Sequence, residues 1–330
     1  MSIQDKLEKH ERWLETDGKD GERFIVITKS DELQGADLKK ANLCRADLSK
    51  ANLQEINLEG ANLEGANLWQ ANLTAANLTA ANLNGAILLG ASLTTSIFIG
   101  ASLIETDLIK AKLFEAKFNR ADLSKAKLNR ADLSFADFSH ARLSNADFSK
   151  AKLDDTIFSH AKLNDAIFGC VNLSGVKLND ANLNGANLAG VNLSGANLNR
   201  AYLVGANLSG ANLNKANLNF ANLEEAILCE ADLNGANLSF ASLNRANLFD
   251  ADFHKANFFD AHLNRTNLEG AIMTDANLEG ADLTGANLSF ANLNGAKLHN
   301  ADLSGATLCL TTMSDGKVDN SSCNRLGRIR

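Results

Sequence analysis

The sequence predicts an all-β solenoid, a parallel coil with four flat sides. Three observations predict it. From Ala36 to Leu310 a five-residue unit, Ala-Asn/Asp-Leu-x-x, runs through 55 consecutive copies with no insertion or deletion. The first position is Ala in 47 copies and the third is Leu in 46, with Phe or Met in the rest. Phe98, Phe118, Phe138 and Phe158 take the third position in every fourth unit, and Phe148 and Phe168 stand in the same relation.

A period of five excludes the regular elements. On an α-helix each unit advances the wheel by about 500°, or about 140° net, so no apolar face persists. In a flat strand side chains alternate with period two, and an odd repeat would send successive Leu residues to opposite faces. The main chain therefore turns once per unit, holding positions one and three inside while positions two, four and five meet water. The Phe spacing sets four units per turn, because a coil of three units would scatter those rings over every wall. The 55 units then make just under 14 turns. At the β spacing of about 4.8 Å per turn, the expected rod is on the order of 65 Å long.

Composition fits a narrow interior. The chain has no Pro, only 6% aromatic residues, and 45% hydrophobic residues, mostly Ala and Leu. A fully buried Leu contributes about 1.5 to 3 kcal/mol, largely offset by the ordering of its five-residue unit, so stability is spread along the coil. Asn fills position two 24 times and Asp 11 times. Such residues tolerate turn backbones and hydrogen-bond their neighbours, which marks them as structural.

Runs such as Ala61-Asn62-Leu63-Glu64-Gly65 and Ala206-Asn207-Leu208-Ser209-Gly210 resemble the motif of the pentapeptide-repeat family, and the likeness extends over most of the chain, from Ala36 to Leu310. The resemblance implies a right-handed quadrilateral parallel β-helix, and the handedness rests on it alone. Some members that the chain resembles imitate the charge and width of DNA, bind type II topoisomerases such as gyrase, and protect them from quinolones.

The elements follow in order. Residues 1–30 read as an N-terminal helix and strand cap. Ile3, Leu7, His10 and Leu14 recur at helical spacing beside Trp13, turn signals stand at Asp17-Gly18 and Asp20-Gly21, and Phe24 to Ile27 form a strand entering the coil. Such a cap covers backbone groups that an open coil end exposes. Residues 31–315 form the repeat. Residues 316–330 are a polar C-terminal tail ending Arg325, Arg328 and Arg330, for which capping of the coil and fraying are the two readings. Cys44, Cys170, Cys229, Cys309 and Cys323 are dispersed without metal-ligand spacing, and no disulfide is expected. The N-terminus has no basic region followed by an apolar run, and no stretch is long and apolar enough to span a bilayer. A cytoplasmic location without membrane contact is the expectation.

Folding the sequence onto four walls makes residues four units apart vertical neighbours. Trp69, Leu89 and Ile109 then form an outward apolar stripe, with Ile87 close by. On the opposite wall Phe220, Phe240 and Phe259 cluster, and His140 stacks on His160 in a column with Arg120 and Asp180. The His pair lacks a third ligand and reads as solvated. Residues 106–165 carry 11 basic and 9 acidic side chains, whereas 221–285 carry 11 acidic and 3 basic. Solubility is the ordinary use of that acidic segment, attraction of a basic partner the other.

Catalysis is not expected. The sequence has no phosphate-binding glycine loop, nucleophile elbow, His-Glu-x-x-His or Cys-x-x-Cys, and a Leu-filled coil offers no pocket, cofactor site or metal site. The reading that follows is a rigid scaffold presenting its walls to a protein partner through the Trp69 stripe and the Phe220 cluster, a second copy of the chain being one candidate. The alternative is a DNA mimic that binds a type II topoisomerase such as gyrase, prompted by the acidic 221–285 segment. Against the mimic stand the excess of Asn over Asp and the interruptions at Lys110, Lys112, Lys117, Arg120, Lys125, Lys127 and Arg130. A net charge of −7 opposes direct nucleic-acid binding. Thr74, Thr79 and Thr94 are isolated and make no flat ice-binding ladder.

Overall fold

A computed structural model describes residues 2–25 and 33–323. The chain packs as two compact units, Met1–Ala166 and Ile167–Arg330, each built from the same rung. Within each, position two of one turn pairs in parallel with position two of the next, four repeats on, as in Asn42↔Asn62 and Asn187↔Asn207. These are single bridges rather than strands, because each side of the coil offers one paired residue before the backbone turns.

The rung is explained by where its five N–H donors go. The amide of Asn57, at position two, donates down to Ala36 O at 2.9 Å, and those of Leu38 and Lys40, at positions three and five, donate up to Asn57 O and Glu59 O, both at 2.8 Å. The position-one amide of Ala41 closes a turn onto Leu38 O at 3.0 Å. Only the position-four amide lacks a backbone partner, and where position two is Asn or Asp its side chain supplies one: Glu59 N–H donates to Asn57 Oδ1 at 3.2 Å, and Trp69 N–H to Asn67 Oδ1 at 3.2 Å. The Asn/Asp preference thus reflects acceptor chemistry. Its expected tolerance of turn backbone is used elsewhere: the left-handed residue is at position five, with φ 58° at Lys50 and 65° at Gly100. A positive φ at the second central residue is the type II pattern. A Cβ added at Gly100 would touch nothing within 4 Å, so that glycine answers to backbone conformation and not to crowding.

In three repeats whose position-two side chain does not serve, the turn below substitutes. Ile104, Val204 and Asn264 follow Ser102, Tyr202 and His262, and their amides donate to Asn84, Asn184 and Asn244 Oδ1 at 2.9, 2.9 and 3.1 Å. Asn side chains also ladder vertically, Asn82 Nδ2 to Asn62 Oδ1 and Asn62 Nδ2 to Asn42 Oδ1, both at 3.2 Å. Asp37 and Asp47, which only accept, lie at the bottom of two such ladders, beneath Asn57 and Asn67.

The interior is dry and stacked. Phe98, Phe118, Phe138 and Phe158 lie on successive turns with centroids 4.7, 4.7 and 5.2 Å apart and nearly parallel planes. Hydroxyl residues that replace Ala inside donate to a Leu carbonyl one turn below, for example Thr106 Oγ1 to Leu83 O at 2.9 Å and Thr156 Oγ1 to Leu133 O at 3.0 Å, so their burial costs little. Position four, expected to face water, is half-buried or buried in many repeats, because its hydroxyl or amide reaches back to the position-two side chain, as Ser134 Oγ does to Asp132 Oδ1 at 2.8 Å.

Helix α1, Ile3–Glu15, opens with a capping box between Ser2 and Asp5. His10 is its one buried residue. Phe24 N–H donates to His10 Nδ1 at 3.0 Å, which puts the ring proton on Nε2, 2.9 Å from Cys44 O. Trp13 stacks on the ring at 5.6 Å and Phe24 meets it edge-on at 6.2 Å. Arg23 Nε donates to Arg45 O at 2.6 Å, and Ile25 bridges Asp47 in parallel. The expected strand from Phe24 to Ile27 is thus represented by Ile25; residues 26 and 27 lie outside the described residues.

The C-terminal end corrects one expectation, the absence of a disulfide. Residues Thr311–Thr312 (β1) and Val318–Asp319 (β2) pair antiparallel, so part of the expected polar tail folds back over the last rung. Cys309 and Cys323 form a disulfide, although their separation of 14 residues had no framework pattern to announce it. The hairpin reversal brings them together. Arg325, Arg328 and Arg330 lie outside the described residues.

Burial lowers the His10 pKa from the ordinary 6.5, the Cys44 carbonyl opposes that shift, and the Arg23 charge adds to it. Above 6.5 the ring is neutral in both docked and released states, so docking of the cap is at full strength. Below it the released ring takes up a proton that the docked ring resists, and docking is lost as pH falls through the docked ring's lower value. The Phe24 amide should therefore lose hydrogen-exchange protection between about pH 7.5 and about pH 5, while mid-coil amides keep theirs. Unchanged Phe24 protection over that range would remove His10 as the latch.

Candidate interaction surface

In unit Met1–Ala166, Trp69, Leu89 and Ile109 occupy position four on consecutive turns, joined by the Gln70 N–H to Leu89 O bond at 3.0 Å and the Gly90 N–H to Ile109 O bond at 2.9 Å. Trp69 is 36% exposed with α1 in place, Ile87 is exposed, and Leu89 and Ile109 are half-buried. Lys50 Nζ sits 4.7 Å over the Trp69 ring and steadies it.

In unit Ile167–Arg330, Phe220 and Phe240 stack at 4.9 Å, and Phe259 meets Phe240 edge-on at 5.6 Å. Phe220 and Phe240 leave the backbone from left-handed corner positions with φ 58°, which throws the rings outward; they are 50% and 41% exposed. Phe259 is half-buried at position four. The Arg200 guanidinium lies 5.9 Å from the Phe220 ring. Asp260 and Glu279 continue the two columns beyond Phe240 and Phe259, joined by the Asp260 N–H to Glu279 O bond at 3.0 Å. The patch thus runs from a cation through three rings to two carboxylates.

Sequence reasoning by strict columns missed diagonal neighbours. Phe114 and Phe135, at positions four and five of adjacent turns, meet edge-on at 5.3 Å on the surface. Tyr202, Phe249 and Phe290 are also exposed. An aromatic residue at any outward position was the available signal: position two for Tyr202, four for Phe114 and Phe249, five for Phe135 and Phe290.

His140 and His160 stack at 4.7 Å with planes 2° apart. Parallel rings aim their nitrogens side by side, not at a common point, and among the described residues no group of three or more His, Cys, Asp or Glu could hold a metal ion. Asp137, near His140, has its carboxyl pKa lowered: burial pulls it upward, and hydrogen bonds from Ser139 and Asn119 outweigh that pull. A shallow depression of about 420 Å³ in the acidic segment is lined by Glu224, Arg245, His262, Arg265 and Asp282 among others. Hydrogen bonding from Thr284 lowers the Asp282 pKa against its desolvation.

The charges of residues 106–165 are organised. Position two alternates in sign through Lys112↔Asp132↔Lys152, Asp107↔Lys127↔Asp147 and Asp122↔Arg142, and the alternation ends at Arg142↔Lys162, where two cations adjoin. Lys152 Nζ lies 3.7 Å from Asp132 Oδ2 and Arg142 Nε 3.4 Å from Asp122 Oδ2. At these position-two pairs opposite charges on adjacent rungs compensate one another.

The family model for pentapeptide repeats (8 copies) matches the sequence in overlapping segments, from 32–65 to 276–315. The chain belongs to the pentapeptide-repeat family. Among solved structures, a trypsin-treated variant of QnrB1, a plasmid-mediated fluoroquinolone resistance protein, is 22% identical, covering 67% of this chain and 95% of that one with a TM-score of 0.33. HetL, a pentapeptide-repeat protein involved in heterocyst differentiation regulation in the cyanobacterium Nostoc sp. strain PCC 7120, is 26% identical over 89% and 94%, TM-score 0.16. Rfr23 from the cyanobacterium Cyanothece 51142 is 34% identical over 34% and 61%, TM-score 0.18. No curated protein matches. Family membership implies the right-handed winding, and the bridges set four repeats per turn. Among the described residues no helix is long and apolar enough to cross a membrane.

The alternating ladder makes Asp132 sensitive to two separable losses. Asp132→Asn keeps the acceptor for the buried Ser134 and removes only charge, at a cost under about 1 kcal/mol. Asp132→Lys also strands the Ser134 amide and stacks three ammonium groups, at about 2 to 3 kcal/mol. Thermal unfolding with and without added salt checks this; equal losses for both variants would contradict the ladder.

Proposed function

We propose that this pentapeptide-repeat chain is a non-catalytic scaffold whose outward aromatic patches dock a protein partner. The observation that carries the reading is the Phe220, Phe240 and Phe259 cluster, three rings held in mutual contact on the surface with Arg200 at one end. Each is an outward position that the coil leaves free, since the core occupies positions one and three. Clustered exposed aromatics beside an Arg are the composition of a binding hot spot. The Trp69, Ile87, Leu89 and Ile109 stripe is the second contact surface. Neither patch needs a cofactor, and both stand on a scaffold whose hydrogen-bonded rungs keep them preformed.

Affinity capture from the native host with wild type, Phe240→Asp and Trp69→Asp should lose a specific partner with one variant while the circular dichroism of all three stays the same. Identical partners for all three would end this reading.

The second reading, a DNA mimic that binds gyrase, draws on the acidic 221–285 segment, with 11 acidic against 3 basic side chains. The basic side chains that interrupt the acidic surface at 106–165 and the dominance of Asn over Asp at position two weigh against it. A supercoiling assay with purified gyrase is expected to show neither inhibition nor quinolone protection at micromolar protein; either effect would promote the mimic over the scaffold.

A further inference from the structure

The C-terminal end is held by a bond of a kind found nowhere else among the described residues. Strand β1 belongs to the coil: Thr312 N–H donates to Ala291 O at 2.9 Å, Leu293 N–H donates to Thr312 O at 2.7 Å, and Thr311 Oγ1 donates to Leu288 O at 2.7 Å. Strand β2 does not. It reverses through a turn in which Gly316 N–H donates to Met313 O and Met313 N–H to Lys317 O, then returns across the last rung. There Ser322 N–H donates to Leu308 O at 2.9 Å and Leu310 N–H to Asn320 Oδ1 at 3.1 Å. A two-stranded pairing this short is marginal by itself in water. The covalent link from Cys323 to Cys309 keeps the returning segment in place.

We propose that this end is a thiol-responsive clasp: the Cys309–Cys323 disulfide locks the returning segment 317–323 over the last rung, and a dithiol reductant releases it. The two sulfurs are unequally accessible. Cys309 is buried at 6% exposure and Cys323 is only half-buried, so an attacking thiolate reaches the Cys323 sulfur first. That attack forms a mixed disulfide between the reductant and Cys323 and expels Cys309 as a thiolate, which takes a proton. The second thiol of the reductant then displaces Cys323. One S–S bond is broken in the protein and one is formed in the reductant, and two electrons and two protons pass to the protein. The released segment leaves Leu308 O and Leu310 N–H without their partners, while β1 keeps its bonds to the coil beneath. In an oxidising compartment the clasp stays closed; in a thiol-reducing one it opens. Cys44, Cys170 and Cys229 are free thiols and take no part. This inference does not depend on the scaffold reading, since it concerns the end of the coil and neither aromatic patch.

The test uses the full chain, oxidised and then treated with dithiothreitol without denaturant. Intact mass should rise by two hydrogens, and alkylation should newly label Cys309 and Cys323. Hydrogen exchange should show the Ser322 and Leu310 amides losing protection about tenfold or more, with Leu293 and Thr312 unchanged. Cys323→Ser should reproduce this without reductant, and reoxidation of wild type should reverse it. Equal Ser322 protection in oxidised and reduced wild type would overturn the clasp, as would failure of the two thiols to join under an oxidant. Loss of protection at Leu293 as well would also overturn it, by making the bond a staple for the whole end.

Discussion

The structure depends on main-chain pairing of four amides in every five, with a side-chain acceptor for the fifth wherever position two is Asn or Asp. Four N–H groups per repeat are satisfied by the neighbouring turns or by the closing turn, and where position two is Asn or Asp its side chain accepts from the fourth-position amide. The same requirement forbids insertions, because one extra residue would move every later side chain off its acceptor. Rescue from the turn below, by Asn84, Asn184 and Asn244, shows that the constraint is on the acceptor and not on the residue type at position two.

The constraint also decides where function can reside. Positions one and three fill the interior and position two is committed to the ladder where it is Asn or Asp, which leaves positions four and five and the remaining position-two residues such as Ile87. Position five is a left-handed corner, so its side chain leaves the coil at an edge. Phe220, Phe240 and Phe135 are all of this kind, and their rings meet neighbours across turns because the rung spacing of about 4.8 Å suits the centroid separation of an aromatic pair.

The two ends use different chemistry from the middle. The repeat is self-templating, but a first rung has nothing below it and a last rung nothing above. At the N-terminal end one neutral imidazole joins the returning chain to the coil, accepting from Phe24 and donating to Cys44. At the C-terminal end a reversed strand and a disulfide do so. Both devices are conditional, one on protonation and one on oxidation, whereas the rungs between them depend on neither.

The sequence by itself determined the period, the inward residues, the four-repeat turn and the vertical columns, because a repeat without insertions turns sequence separation directly into spatial distance. The Phe98 to Phe158 stack and the Trp69 column could be read off as arithmetic. Tertiary structure alone decided what arithmetic does not reach: the left-handed corner at position five, the diagonal contact of Phe114 with Phe135, the tautomer of His10 and the joining of Cys309 to Cys323. Each of these turns on backbone direction at a corner or on a chain reversal at an end. At those places the coil's translational symmetry stops, and distance along the chain no longer measures distance in space.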